Sequence, residues 1–320
     1  MRRYLVIGLI IGILIGSGLV YVLLLLPPIK KPGRLCPIQV GTFYYVWYNS
    51  STDGYSWERP KICDEPVLEY YNSCESEIIK HHLAWMSNLS IDFAVVSWWG
   101  PYNQSGWHSF VNSAVHQVFR IAGENMMNVK LCVMVEPFNE TGDSTYNYSE
   151  IYDYVYNDFV TPCPTIYYEY LDRPLICFFN DDYLTSSGVV PSDDRFTMRI
   201  VGNKNYADWV YSDLVPIEGC LPRNRQFPVT PRFDDTGFRE PGHVIDKDYS
   251  AGVYDEKWKK AIDYAVNDVV DVVTICSWNE YPERTAIEPH FDADAYDDNP
   301  YFLYNKTEDY IIELKEKCGN

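Results

Sequence analysis

Asp271–Pro289, DVVTICSWNEYPERTAIEP, is the stretch whose reading decides the fold. Val272, Val273, Thr274, Ile275 and Cys276 run apolar or β-branched without polar alternation, the pattern of a strand buried on both faces. The chain then turns polar through Ser277, Trp278, Asn279, Glu280, Tyr281, Pro282 and Glu283. Pro282 can continue neither a ladder nor a helix, so Glu280 and Glu283 are expected on a loop at the strand's carboxyl end. Parallel α/β folds carry out their chemistry at that end.

Working outward, the same pattern recurs. Val40–Tyr45 reads as a strand that ends among Tyr44, Tyr45, Trp47 and Tyr48, and Phe93–Ser97 as one that ends at Trp98 and Trp99. Lys130–Val135 runs into Glu136, and Leu175–Phe179 into 180–183. Between Ser186 and Pro222 the signals weaken to two short strands, Phe196–Val201 and Trp209–Tyr211. Phe227–Thr230 leads to Arg232, Asp234, Asp235 and Arg239. Helical spacing joins Ile78, Ile79, Leu83, Met86 and Leu89, then Val111, Val115, Val118 and Ala122. A helix is expected within Ser149–Tyr170, another through Trp258, Ala261, Ile262, Ala265, Val266 and Val269, and a last one over Thr307–Lys317. About eight alternations of apolar strand and helix are the pattern of a (β/α)8 TIM barrel. A doubly wound open sheet competes, but no glycine-rich loop follows the first strand and unusual residues follow most strands.

Composition narrows the function. A net charge of −19 over 320 residues repels phosphate backbones, which argues against nucleic acid as a partner. Aromatics make up 16% of the chain, and Trp and Tyr in polar loops suit stacking on sugar rings. Tyr4–Leu26 carries no charge and is long enough to span a bilayer as a helix, so residues 1–3 are read as a tail, 4–26 as a transmembrane anchor, 27–37 as a stalk and 38–320 as the barrel. Gly8, Gly12 and Gly16 lie at helix-pairing spacing, which ordinary membrane helices also show. Sequons at Asn49, Asn88, Asn103, Asn139, Asn147 and Asn305 favour an extracytoplasmic barrel, at the cell surface or in the lumen of the secretory pathway. Of nine cysteines, Cys132, Cys177 and Cys276 read as core thiols, leaving Cys36, Cys63, Cys74, Cys163, Cys220 and Cys318 in irregular segments open to disulfides.

Glu280 and Glu283 form the sharpest chemical constellation, because two carboxylates divide acid and base roles when their surroundings separate their pKa values. The plainer alternative is a solvated acidic loop with Arg284 as counter-ion. Asp292, Asp294, Asp297 and Asp298 lack the turn glycine and terminal glutamate of a calcium loop and read as another solvated acidic loop. The six histidines form no zinc-spaced pair, and no G-x-S-x-G elbow occurs, so neither metal nor cofactor is expected.

The run SWNEYPERTAIEP, with FYYVWY at Phe43–Tyr48, VVSWWG at Val95–Gly100, VEPF at Val135–Phe138 and TPRFDDTGFR at Thr230–Arg239, resembles the glycoside hydrolase family 99 endo-α-mannosidases over nearly the whole barrel. The resemblance implies a (β/α)8 fold and metal-independent, retaining cleavage of internal α-mannosidic bonds in a glycan. It implies that Glu280 takes the proton of the sugar's 2-hydroxyl, giving a 1,2-anhydro sugar, while Glu283 protonates the leaving oxygen and then activates water. Glu136, Tyr45, Trp47, Trp98, Trp99, Asn279, Tyr281, Asp234 and Asp235 are then expected to line the sugar subsites. Tyr281-Pro282 stands where Trp-His is common in that family, and Arg284 where Gly is common. An arginine there is expected either to lower a carboxylate pKa or to recognise an anionic sugar. The alternative function of the same fold is a non-hydrolytic glycan-binding or surface-polysaccharide assembly protein.

Overall fold

The computed structural model describes residues 37–49, 57, 64–101, 106–137, 147–179, 191–203, 205–212, 221–237, 239–294 and 298–319. The chain divides into two units, Met1–Leu35 and Cys36–Asn320, and all described residues belong to the second. The apolar stretch Tyr4–Leu26 therefore lies outside the described residues, as do Asn103, Asn139, Cys36, Cys63 and Cys220. Among the described residues no helix is long and apolar enough to cross a membrane.

The core is a curled parallel sheet. Its strands are β1 (Gln39–Tyr44), β2 (Phe93–Trp98), β3 (Lys130–Val135), β4 (Arg173–Phe179), β5 (Thr197–Val201), β6 (Gln226–Val229) and β7 (Val272–Ile275), in the order β6-β7-β1-β2-β3-β4-β5. Every residue of β2, β6 and β7 is buried, as unalternated apolar runs require when both faces are covered. The first strand pairs with the last: Gln39 to Thr42 of β1 lie opposite Val272 to Ile275 of β7. The helices α1 (Ser76–Asn88), α2 (Gly106–Glu124), α3 (Tyr148–Val155, continued by a π-turn over Tyr156–Val160), α4 (Val253–Val266) and α5 (Phe302–Cys318) bury one stripe each.

Between β5 and β6 the sequence signal was weakest, and the structure shows why. Trp209 forms a single parallel bridge to Val201, so Trp209–Tyr211 sits beside β5 at the sixth place of a barrel. It meets β6 through a side chain instead of a ladder. Val210 N–H donates to Gln226 Oε1 at 2.9 Å, and Gln226 Nε2 donates back to the Val210 carbonyl at 2.9 Å and to Thr274 Oγ1 at 2.6 Å. The buried amide makes both bonds that a neighbouring backbone would, and the sheet's two edges meet there, consistent with a (β/α)8 barrel. Near β1's start, the Phe93 ring lies over Gly41, where a Cβ would fall 2.3 Å from it, and is held there by stacking on Tyr168.

Several sequence expectations shift. α4 ends at Val266, so Val266 and Val269 are each 42% exposed: Asn267 caps the helix and Asp268 takes a left-handed φ of 57°, breaking the period. α5 starts at Phe302, five residues before the expected Thr307. Thr307 is an internal residue whose hydroxyl donates to the Leu303 carbonyl and meets the Tyr254 hydroxyl. Cys318 belongs to that helix rather than to an irregular segment. Cys74 and Cys163 are not in disulfides; each sulfur faces an α2 carbonyl, of Phe110 and Phe119, and burial pushes the Cys74 thiol up to about 11.

The amide at 226 generates a direct test. Gln226→Leu keeps the volume but leaves the Val210 N–H and C=O buried and unpaired, so urea denaturation should show a loss of about 2–4 kcal/mol. A loss well under 1 kcal/mol would show that the seam does not depend on this side chain.

Candidate active site

The loop after β7 is stitched to itself before it meets anything else. The Cys276–Ser277 peptide bond is cis. Ser277 Oγ accepts the Glu280 N–H at 2.7 Å and meets Thr285 Oγ1 at 2.9 Å, while Thr285 N–H donates to the Glu280 carbonyl. The Trp278 carbonyl receives the N–H groups of Ile287 and Glu288, closing the loop at its base. Asn279 fastens the loop to β1: its Oδ1 accepts the Tyr45 N–H and its Nδ2 donates to the Tyr45 carbonyl, both at 2.9 Å. Tyr48 adds a second fastening, donating to the Asn279 carbonyl at 2.7 Å and accepting the Tyr281 N–H at 3.1 Å. Trp57 stacks on Tyr48 at 4.1 Å, and Tyr281 packs edge-on against both.

This loop sits at the strand's carboxyl end, as expected, and buries the two carboxylates, unlike the alternative of a solvated acidic loop. Glu280 is 4% and Glu283 9% exposed, and Glu136 at the end of β3 is 5% exposed. The reason is the loop's compactness: residues 281–290, Pro282 included, are all buried in a packed turn rather than in a solvated strand extension. Ser97 Oγ donates to Glu136 Oε1 at 2.8 Å. The Tyr45 and Tyr211 hydroxyls meet at 2.5 Å. Burial first, then the charges of Glu280, Glu136 and Glu283, hold the Tyr45 hydroxyl well above its usual pKa, so the three carboxylates surround one phenol. Tyr211 is raised by burial and, among its neighbours, by Glu283 and Glu280.

Glu283 has the two faces that acid/base work requires. Its Oε1 accepts from Arg239 Nη1 at 2.8 Å, whereas Oε2 is buried without a hydrogen-bond partner among the described residues. Burial raises its pKa above the usual carboxylate value; the Arg239 guanidinium and the Tyr211 hydroxyl oppose the rise, and Asp235 adds to it. Arg239 Nη1 also donates to Asp235 Oδ2 at 2.8 Å, and Asp235 Oδ1 is held by the His243 N–H. Asp235 thus anchors the arginine that grips Glu283.

Behind the loop lies a buried ionic cluster. Arg284, at a left-handed φ of 54°, turns away from the two glutamates and is 4% exposed. It donates to both oxygens of Asp64, at 2.7 and 3.0 Å, and reaches Asp292, Asp294 and Asp234. Arg232 donates to Asp64 at 2.7 Å, to Asp292 at 2.9 Å and, through Nε, to the Arg284 carbonyl at 2.9 Å. Asp292 and Asp294 therefore face arginines instead of forming a solvated acidic loop, because chain segments far apart in sequence bring the cations to them. Burial alone would raise the pKa of Asp64 and of Asp292, but bonds and charges from Arg284, His290 and Arg232 bring both below the usual value. Asp297 lies outside the described residues, and among those described no group of His, Cys, Asp and Glu is arranged to hold a metal.

The remaining expected site residues divide. Trp47 lies on Tyr45 with centroids 4.5 Å apart, and Trp99 is half-buried against Trp107 at 5.1 Å. Trp98 points the other way: it is fully buried, donates to Asn112 at 2.8 Å and stacks on Tyr154, because the strand period of two sends Ser97 to Glu136 and Trp98 to the helices. Asn279 spends its amide on Tyr45 and Tyr71, and the Tyr281 ring is buried in the aromatic bed. Asp234 turns its Oδ1 to Thr236 while its N–H holds the Glu283 carbonyl at 3.0 Å. Tyr211 and Arg239 were not among the expected site residues. Tyr211 sits in the stretch with the weakest pattern; Arg239 was visible only as the last residue of TPRFDDTGFR.

Comparison with solved structures shows which fold this is. The GH99 endo-alpha-mannosidase from Bacteroides thetaiotaomicron is similar over 88% of this chain and 99% of its own, with a TM-score of 0.65 and 20% identity. The same enzyme in complex with BIS-TRIS-Propane gives 0.66 and 21%, over 89% and 100%. A glycoside hydrolase-like protein gives 0.54 and 13%, over 91% and 96%. The chain has a GH99-like fold. No protein-family model and no curated protein matches the sequence.

Two measurements check this geometry. Because the folded pKa of Glu283 is raised, its ionisation costs stability as pH rises through that pKa, and no cost remains below the unfolded value of 4.5. The stability of Glu283→Gln relative to the parent should therefore improve between pH 4 and pH 8; a difference that stays constant or moves the other way contradicts the raised pKa. Asp64→Ala leaves two buried arginines short of a partner and should cost about 3–5 kcal/mol at neutral pH. The lowered pKa of Asp64 makes the wild-type advantage present above about pH 4 and lost as pH falls further. An equal cost at pH 7 and pH 2 would exclude an ionic origin.

Proposed function

We propose that this chain is a retaining, endo-acting glycoside hydrolase that cleaves α-mannoside-like linkages in a glycan, with Glu280 and Glu283 as its catalytic pair. The observation that carries the reading is Glu283: a buried carboxyl with raised pKa, one oxygen gripped by Arg239 and the other buried without a hydrogen-bond partner among the described residues, beside a second buried glutamate. A general acid must hold its proton near the working pH, and burial supplies that tendency. The GH99-like fold supports the substrate class.

In the proposed reaction Glu280, ionised, removes the proton of the sugar's 2-hydroxyl, and that oxygen attacks the anomeric carbon. The bond to the leaving oxygen breaks as Glu283 donates its proton, giving a 1,2-anhydro sugar. Glu283, now a carboxylate steadied by Arg239, takes a proton from water, which opens the anhydro ring at the anomeric carbon while Glu280 returns its proton to O2. Two inversions give net retention, and no sugar becomes bonded to the protein. The Arg239 contact also favours a second reading, since an arginine on a carboxylate opposes an acid role: a glycan-binding protein of the same fold without hydrolysis. As part of the proposal the barrel faces the outside of the cytoplasm, supported by the charge-free Tyr4–Leu26 stretch and by Asn88 and Asn305, which are exposed on α1 and α5.

Glu280→Gln and Glu283→Gln should each lower kcat on an α-mannan oligosaccharide about 10²-fold or more. A leaving group that needs no protonation should rescue Glu283→Gln far better than Glu280→Gln. Near-normal turnover by either variant would end the assignment, and wild-type binding without turnover would select the second reading.

A further inference from the structure

Beneath the candidate catalytic loop runs a chain of buried polar groups that the proposed reaction does not use. Its direction follows from two backbone groups. The Tyr45 N–H can only donate, so Asn279 Oδ1 is its acceptor, and the Tyr45 carbonyl can only accept, so Asn279 Nδ2 donates to it. The second hydrogen of Nδ2 goes to the Tyr71 oxygen at 2.9 Å. Tyr71's own hydrogen then goes to Glu288 Oε2 at 2.8 Å. Glu288 Oε1 lies 3.1 Å from His82 Nε2, and the Tyr44 hydroxyl lies 3.0 Å from His82 Nδ1.

Glu288 is 0% and His82 1% exposed, so each polar atom must find its partner within the protein. Only a carboxylate accepts on both sides at such a junction; an amide would present an N–H to one of two donors. Glu288 also belongs to the loop it supports, because its own N–H donates to the Trp278 carbonyl at 2.8 Å. His82 lies on α1, so the junction ties the helix layer to the end of β7.

We propose that Glu288 is a positioning residue for the candidate catalytic loop: a buried double acceptor for Tyr71 O–H and His82 Nε2–H, which leaves the Tyr71 oxygen to accept Asn279 and so holds Glu280 in place. Its catalytic consequence rests on the glycosidase reading of Glu280; the hydrogen-bond assignment does not. Glutamine at 288 would keep its oxygen for Tyr71 and turn its NH2 toward His82, which must then give up the Nε2 proton and carry it on Nδ1. Alanine would remove the acceptor altogether, and Tyr71→Phe would remove the link by deleting one oxygen.

The test uses the full chain labelled with ¹⁵N, with the His82 signals assigned by substitution. His82 Nε2 should be protonated in the parent, and in Glu288→Gln the proton should sit on Nδ1; an unprotonated Nε2 in the parent overturns the proposal. Exchange of the Tyr45 amide hydrogen should quicken at least about tenfold in Tyr71→Phe, because its acceptor Asn279 has lost its brace. Unchanged exchange also overturns the proposal, whether or not the protein proves to be a glycosidase. With an aryl α-mannobioside as probe, Glu288→Ala and Tyr71→Phe should lower kcat about tenfold with KM within twofold, and Glu288→Gln should recover most of the loss relative to Glu288→Ala. Failure of the parent to turn over that probe counts against the glycosidase reading, while the two NMR readouts still decide the role of Glu288. Wild-type kcat in Tyr71→Phe, from a parent that does turn over, excludes positioning.

Discussion

Asn279 continues with its side chain what β7 does with its backbone. The β7 ladder against β1 stops where the chain must turn, and the Tyr45 N–H and C=O would be left unpaired there. The amide of Asn279 takes both, so the loop carrying Glu280 and Glu283 is registered on the first strand although 234 positions separate the two residues. A buried, doubly bonded amide tolerates little displacement, since any slip strands two backbone groups in a dry interior. Gln226 solves the same problem one strand away, at the edge β6 turns toward Trp209–Tyr211, which is too short to form a ladder. Two amide side chains thus complete a curled sheet whose backbone alone does not finish pairing.

With the loop fixed, charge is sorted on its two sides. Toward the strand ends, Glu280, Glu283 and Glu136 gather around the Tyr45–Tyr211 pair, and burial works against ionisation of Glu283 and of the Tyr45 hydroxyl. Behind the loop, Arg284 and Arg232 meet Asp64 and Asp292, and attraction overcomes the same burial penalty. Glu283 and Arg284 are neighbours in sequence and belong to opposite regimes. The left-handed φ at Arg284 accompanies that division, sending its side chain away from the carboxylate beside it. The cation that does reach Glu283 is Arg239, delivered from another strand end and steadied by Asp235.

The parallel strands and their order of appearance were legible because a strand covered on both faces has to be apolar on both, and Val272–Ile275 and Phe93–Trp98 are so but for Thr274 and Ser97, small hydroxyl residues. The polar residues after those strands were legible as site candidates because nothing in a buried sheet calls for a glutamate. Helix ends were less so. Val269 extends an apolar period past the point where Asn267 and Asp268 end the helix, and Thr307, a residue that often opens a helix, sits inside one.

By itself the sequence determined the α/β alternation, the place of Glu280 and Glu283 after a buried strand, and the likeness to a family whose fold the structure shares. These are local properties, written in the polarity of neighbouring residues. Only the tertiary structure decided how each charge is compensated. Asp64 lies 220 positions from Arg284, and His82 lies 206 from Glu288, so no spacing rule connects them. The same holds for Trp98, whose type suits a sugar platform but whose strand parity turns it toward α2 and α3. A residue's chemistry is a property of the chain, but its ionisation, burial and partners depend on what the fold brings within about 4 Å of it.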